Sequence, residues 1–206
     1  MNLRRKVGIV FQDPDNQIIA STVYKEVSFG PMNLKLGKEE VKKRVEDALE
    51  YMEIEEYKDR PPHYLSGGEK KRVAIADILA MKPECILFDE PTASLDPAGT
   101  AGLEEILNKI SEEGITVILS THDVEFVYRW ADRVLVFSDG ECIASGKPEE
   151  IFTDEEIVKR ARIKKPVFLE ILEILNKYGI LEQGSSKLRT MEEMENYLRL
   201  RDQKKE

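Results

Sequence analysis

Three short apolar runs, at residues 6–11, 85–88 and 115–120, each stop abruptly at polar residues, and this repeated stop limits the folds open to the chain. The first run ends at Gln12-Asp13-Pro14-Asp15, where proline and aspartate favour a turn. The second ends at Asp89-Glu90-Pro91 and the third at Thr121-His122-Asp123. Helical periodicity separates them. Val41, Val45, Ala48, Leu49 and Met52 recur at helical spacing over residues 38–52, a second helix follows Ser66 to about Met81, and Leu103, Ile106, Leu107 and Ile110 share one face of residues 98–113 before Gly114. A further helix over 124–131 precedes a strand at 133–137, a hairpin turn at Ser138-Asp139-Gly140 and a return strand at 141–144. The alternation predicts an α/β fold: a mainly parallel sheet covered by helices, with ligands beyond the carboxyl ends of its strands. Gln12, Asp89 and His122 all fall there.

Composition narrows the classes of protein to consider. Apolar residues make up 41% and charged residues 34% of the 206, a balance typical of globular chains. No apolar run approaches the roughly 18 to 20 residues needed to span a bilayer, and the opening MNLRRKVGIVFQDPD is no secretory signal, so a cytoplasmic location is expected. The net charge of -9 argues against nucleic acid as a partner. Cys85 and Cys142 each lie in a short apolar run, which predicts core packing rather than a disulfide or metal site. Beyond Gly146 the chain turns helical. Thr153-Asp154-Glu155-Glu156 reads as a capping box, residues 167–178 form an apolar helix, and residues 190–201 form a charged one. The linker-like residues 182–186 set off that last helix, whose end at Lys204-Lys205-Glu206 is expected to fray.

Two short motifs carry candidate chemistry. In Leu65-Ser66-Gly67-Gly68-Glu69 the serine can cap the next helix, while two glycines leave that helix end open to an anion. The same residues also fit a plain capping box with no ligand. Asp89-Glu90 after four apolar residues matches many nucleotide hydrolases, in which the first carboxylate holds hydrated magnesium and the second orients the attacking water. A solvated turn after a strand is the alternative reading.

Taken together, QDPDNQ, LSGGEKKR, CILFDEPTASLD and STHD occur in the order and spacing of the ABC ATPase family, which the chain resembles from Val7 to about Phe152. The resemblance implies ATP and Mg2+ as cofactors. Gln12 would approach both magnesium and nucleotide, Asp89 would ligate the metal, Glu90 would orient the water, and His122 would contact the terminal phosphate. Ser66, Gly67, Gly68 and Glu69 would bind the nucleotide held by a second ATPase subunit, identical or not, in a head-to-tail sandwich that Asp96 helps couple. Glu69 stands where glutamine is usual. The phrases VFQDPDNQ, FGPMNL and THDVEFVYRWADRV resemble cobalt and nickel importers of the energy-coupling-factor type. That implies a transmembrane coupling protein, contacted near Gln12 and the 38–52 helix, a substrate-capturing membrane subunit, and a place on the inner face of the cell membrane. DNA-associated relatives carry a long coiled-coil insertion for which the stretch from Gln12 to Ser66 is too short.

One family element has no match in these residues. No G-x-x-x-x-G-K-[ST] phosphate loop occurs, and the nearest stretch, from Gly140 to Pro148, has one residue too many between its glycines and follows a hairpin strand. The expectation is therefore a family domain over 1–152 lacking its amino-terminal strands and phosphate loop, with a helical subdomain at about 20–80, and a helical appendage over 153–206. Unpaired strand edges and an uncovered apolar face should follow. Two functional readings remain open: an ATPase subunit whose start is truncated or misplaced, and a non-catalytic subunit that offers LSGGE to an intact partner.

Overall fold

A computed structural model describes residues 6–93, 95–181 and 188–203 of the chain. The chain divides into two compact units, Met1–Thr121 and His122–Glu206. The first is built on three parallel strands in the order β1 (Val7–Val10), β2 (Cys85–Asp89) and β3 (Thr116–Ser120). Their register sets Val10 beside Phe88 and Phe88 beside Leu119, so all three strands end at the same edge.

Side chains alternate across this sheet as strand geometry requires. Gly8, Val10, Ile86 and Phe88 are buried on one face, beneath helices α3 (Gly67–Ala80) and α4 (Pro97–Glu112). A side chain at position 8 would drive its Cβ to 2.1 Å from Ile78 Cγ2, so only glycine lets α3 approach β1 this closely. On the other face Ile9 and Ile118 flank Leu87 in register, and both isoleucines are half exposed. Parallel sheets are ordinarily covered on both sides.

Helix α3 is the central post of this unit. Val73, Ala74, Ile75, Ala76, Ile78 and Ala80 are all buried, and the helix packs against β1, α1 (Val23–Asn33) and α2 (Lys38–Tyr51). Small residues on α3 let two helices and a strand crowd around it. Helix α1 lies within the helical subdomain expected at about 20–80 but is not predicted as a helix of its own; Gly30 and Pro31 lie within it, and Pro31 removes a backbone donor. Tertiary packing overrides that local preference: Val23, Val27, Gly30 and Pro31 are buried, and Thr22 caps the start by accepting from the Lys25 amide.

The second unit carries α5 (Val124–Trp130) and an antiparallel hairpin of β4 (Val134–Ser138) and β5 (Glu141–Gly146), turned by Asp139 and Gly140 at positive φ. Four helices follow among the described residues: α6 (Pro148–Thr153), α7 (Glu155–Ala161), α8 (Val167–Lys177) and α9 (Met191–Gln203). Tyr128, Phe152 and Leu169 form its core, with Val124, Val127, Ile163 and Phe168 packed around them.

Two local expectations are corrected here. Asp154, not Thr153, caps α7, accepting from the amides of Glu156 and Ile157, because Thr153 closes α6 and its hydroxyl turns back to the Glu149 carbonyl at 2.6 Å. Cys142 is exposed rather than buried, since a register shift between Val136 and Phe137 disturbs the hairpin where Phe137 pairs with Cys142. Cys85 is half buried, and both thiols are free. The linker-like residues 182–186 and the end at 204–206 lie outside the described residues.

One buried acid gives this fold a pH dependence. Glu26 is only 2% exposed, and its Oε2 accepts from the amides of Ile19 and Ala20. Nearby on α3, the Oδ1 of Asp77 is buried without a hydrogen-bond partner. Burial first, and then the Glu26 carboxylate, pushes the Asp77 pKa up from 3.8 to about 7. A raised acid pKa means that the native state holds more protons than the unfolded one. The resulting stabilisation is therefore full below the unfolded value and lost as pH rises through about 7. Asp77→Asn, which is always neutral, should gain about 2 kcal/mol or more over the parent at pH 8 and little at pH 4. Urea unfolding at the two values tests this, and an equal effect at both would refute it.

Candidate functional site

The shared strand edge gathers the first group of candidate residues. Gln12 follows β1, and Asp89 and Glu90 follow each other at the end of β2, with Asp89 and Gln12 exposed and Glu90 half buried. The Ser120 hydroxyl at the end of β3 donates to Asp89 Oδ1 at 2.6 Å, which orients that carboxylate. The Glu90 amide donates to the Ser120 carbonyl at 3.0 Å, so the β2–β3 ladder continues one residue past the strand. Glu90 then turns at φ 41°, in the left-handed region that non-glycine residues rarely adopt. Such a conformation costs about 1–3 kcal/mol, and its neighbours hold it: the Glu90 carbonyl accepts from the Ala93 amide at 3.1 Å.

A buried lysine joins this edge to α3. Lys71 is 4% exposed, and its Nζ donates to the carbonyls of Gln12 at 2.7 Å and Phe11 at 3.4 Å. Burial pushes the pKa of the ammonium down, opposed by the Asp13 and Asp89 carboxylates. The flanking contacts reinforce it. Lys70 pairs with Asp15 at 2.7 Å, and Gln17 spans from the Phe11 amide to the Ala74 carbonyl. Sequence reasoning missed Lys71 and Ser120, although both lie inside motifs it singled out. A lysine beside another lysine reads as a solvated face, and only the packing of α3 shows otherwise.

The remaining candidates lie elsewhere. Ser66 caps α3 in the capping box that the sequence predicted, with Glu69 Oε2 accepting from both the amide and the hydroxyl of Ser66 at 2.7 Å. Those two bonds, followed by one from Tyr57, hold the Glu69 carboxyl below the usual carboxylate range. Gly67 and Gly68 are exposed, and a Cβ on either would meet nothing within 4 Å. Packing inside the chain therefore does not require them to be glycine. Asp96 caps α4, accepting from the Gly99 amide at 2.7 Å; its neighbour Ser94 lies outside the described residues. His122 is exposed and opens the second unit, followed by Asp123, which caps α5. The structure thus brings Gln12, Asp89 and Glu90 to one edge, places Ser66 to Glu69 and Asp96 at two helix starts, and assigns His122 to the other unit.

The chain is similar to known proteins. The ABC transporter family profile matches residues 1–93. The energy-coupling factor transporter ATP-binding protein EcfA2 of Methanospirillum hungatei is 51% identical over 89% of this chain, which spans 46% of that relative's length. Among solved structures, CbiO1 of Clostridium perfringens, part of the ABC transporter complex CbiONQ, superposes with a TM-score of 0.68 at 44% identity, covering 82% of this chain and 68% of its own. An ATP-binding cassette solved as a dimer in a post-hydrolysis state with ADP and Pi gives 0.59 at 36% identity, covering 70% of this chain and 64% of its own. On the profile match and on a solved relative at 44% identity, 68% of which the chain covers, the chain belongs to the ATP-binding family of ABC transporters.

Proposed function

We propose that this chain acts as an ATP-binding and ATP-hydrolysing subunit of an energy-coupling-factor importer, with a cobalt or nickel ion as cargo. The observation that carries the reading is the Asp89-Glu90 pair, split by the left-handed turn at Glu90 and set beside Gln12. The names of EcfA2 and of CbiO1 within CbiONQ support the transporter class. Among the described residues no group of three or more acidic, histidine or cysteine side chains could cage a metal. Mg2+ is commonly held by one or two protein oxygens together with nucleotide phosphates. Asp89 and the Gln12 amide supply such oxygens, and Ser120 keeps the Asp89 carboxylate aimed. Bound there, Mg2+ would neutralise charge on the phosphates. Glu90 would hold and polarise the attacking water, and His122 would meet the terminal phosphate.

Ser66, Gly67, Gly68 and Glu69 would face the nucleotide of a second ATPase subunit, with Asp96 coupling the two sites; the absence of any side-chain obstacle at Gly67 and Gly68 favours this. The dimeric relative with ADP and Pi supports a two-subunit assembly. Membrane attachment would come through a transmembrane coupling protein and a substrate-capturing subunit. Among the described residues no helix is long and apolar enough to cross a membrane. The family domain would run to residue 152, with 153–206 as its appendage. Because these 206 residues contain no phosphate loop, the chain alone would hydrolyse ATP poorly. The open glycines also favour a second reading, a non-catalytic subunit completing a partner's site.

Two measurements separate these readings. In the complex purified from native membranes, Glu90→Gln should lower ATP turnover about a hundredfold or more with ATP binding nearly unchanged. Unaltered turnover would leave only the non-catalytic reading. Lys71→Met should leave two carbonyls without their donor and cost about 2–3 kcal/mol in urea unfolding. It should also raise the Mg2+ concentration needed for nucleotide binding, whereas Lys71→Arg restores most of both. A Mg2+ requirement that does not move would show that Lys71 serves folding alone.

A further inference from the structure

Helix α5 is too short to hold its own position. It has seven residues, about two turns, and an isolated helix of that length is not stable in water, so its place is set by what packs against it. His122 stands one residue before the cap Asp123, whose side chain accepts from the Phe126 amide at 3.0 Å. The backbone that carries His122 therefore moves with α5.

Polar contacts from residues beyond 152 grip α5 along its length. At its start, Glu125 Oε1 accepts from the Val167 amide at 2.6 Å, at the head of α8. In its middle, the Tyr128 hydroxyl donates to the Leu188 carbonyl at 3.1 Å. At its end, Arg189 Nη1 donates to the Ala131 carbonyl at 2.7 Å, while Nη2 of the same guanidinium donates to Glu149 Oε2 at 3.3 Å. The apolar core of Tyr128, Phe152 and Leu169 decides which face of α5 is buried. Apolar contact is not directional, so it restrains sliding and rotation of the helix weakly. Hydrogen bonds at both ends restrain them strongly.

The bond from Arg189 is the one that fixes the far end. Ala131 leaves the helix in an extended conformation, and its carbonyl has no partner within the helix. A planar guanidinium holds that carbonyl and the carboxylate at once in a fixed geometry, which a single ammonium does less well. The ion pair is partly sheltered, with side chains 23% and 18% exposed, so solvent screens it less than a surface pair. Arg189 is itself held, since its amide donates to Glu193 Oε2 at 2.6 Å and the Glu193 amide donates to Thr190 Oγ1 at 3.1 Å. Tyr128 supports the same arrangement. Burial first, and then the Glu149 carboxylate, pushes its pKa up to about 12, so the hydroxyl keeps its proton for Leu188 across the ordinary pH range.

We propose that Arg189 is a positioning residue for ATP hydrolysis: it pins the end of α5 through the Ala131 carbonyl and so fixes the backbone from which His122 meets the terminal phosphate. The proposal rests on the role given to His122 above. It gives the residues after 152 a part in the chemistry, although none of them touches nucleotide.

Steady-state ATP turnover of the complex purified from native membranes tests this, at a temperature where circular dichroism shows every variant folded. Arg189→Ala should lower kcat about tenfold and leave the KM for ATP within about twofold, because a misplaced group costs rate more than ground-state binding. Arg189→Lys keeps one donor and should fall only about threefold below the wild type; it carries the test if the alanine variant does not fold. The deciding measurement is a cycle with His122→Ala. In that background either Arg189 variant should lower turnover by less than about twofold further, since a residue acting through His122 has nothing left to place. A loss that multiplies with that of His122→Ala would overturn the proposal and leave Arg189 a purely structural role, as would an unchanged kcat in Arg189→Ala. If His122→Ala itself keeps full turnover, the role of His122 falls and this proposal falls with it.

Discussion

An ammonium taken out of water beneath two carbonyls organises the first unit. Lys71 gives up hydration that strongly favours its charge, and the Gln12 and Phe11 carbonyls, with Asp13 and Asp89 nearby, return part of it. An arrangement so costly when incomplete fixes positions more sharply than apolar contact does. The residue that leaves β1 is thereby tied to α3, and α3 is tied through Gly8 to the underside of the same strand. Loop, strand and helix cannot shift separately, so the base of the motif that opens α3 and the exit toward Gln12 share one rigid support.

The strand edge shows how two adjacent acids can do different work. In a continuing strand, Asp89 and Glu90 would point to opposite faces of the sheet. The amide of Glu90 keeps its ladder bond to Ser120, after which the backbone turns into the left-handed region. Asp89 remains exposed and anchored by the Ser120 hydroxyl, whereas Glu90 is half buried. Different surroundings, not different chemistry, distinguish the carboxylates. The strain at Glu90 is local, and the ordered ladder on one side and the Ala93 turn on the other hold it in place.

Much of this was legible from residues alone because it depends on local rules. Strand ends announce themselves by apolar runs that stop at Asp, Pro or Gln, and the cap of α3 follows from Ser66 three residues before Glu69. What was hidden depends on packing. Helix α1 tolerates Gly30 and Pro31 only because α3 covers them, and Lys71 is buried only because three elements close around it. Thr153 and Asp154 offered two adjacent caps, and the choice fell to Asp154 once α6 had claimed the threonine. Cys142 looked apolar by its neighbours, yet a register slip left it exposed. Sequence periodicity identifies a face; it does not say which faces find a partner.

Glu69 shows what such local completeness implies for binding. Its carboxylate satisfies the Ser66 amide and hydroxyl, and its negative charge complements the positive end of the α3 dipole. A helix start completed in this way has less to offer an incoming phosphate than one with free donors, and the phosphate would also meet a like charge. A glutamine at this position could accept the same bond from the Ser66 amide without that repulsion. The glycines at 67 and 68 counterbalance this: both are exposed and leave the approach open, at a helix end whose first amides have no partner within the helix. An anion held through the Ser66 hydroxyl would need that hydroxyl to turn from Glu69 toward the ligand, giving up its 2.7 Å bond to the carboxylate.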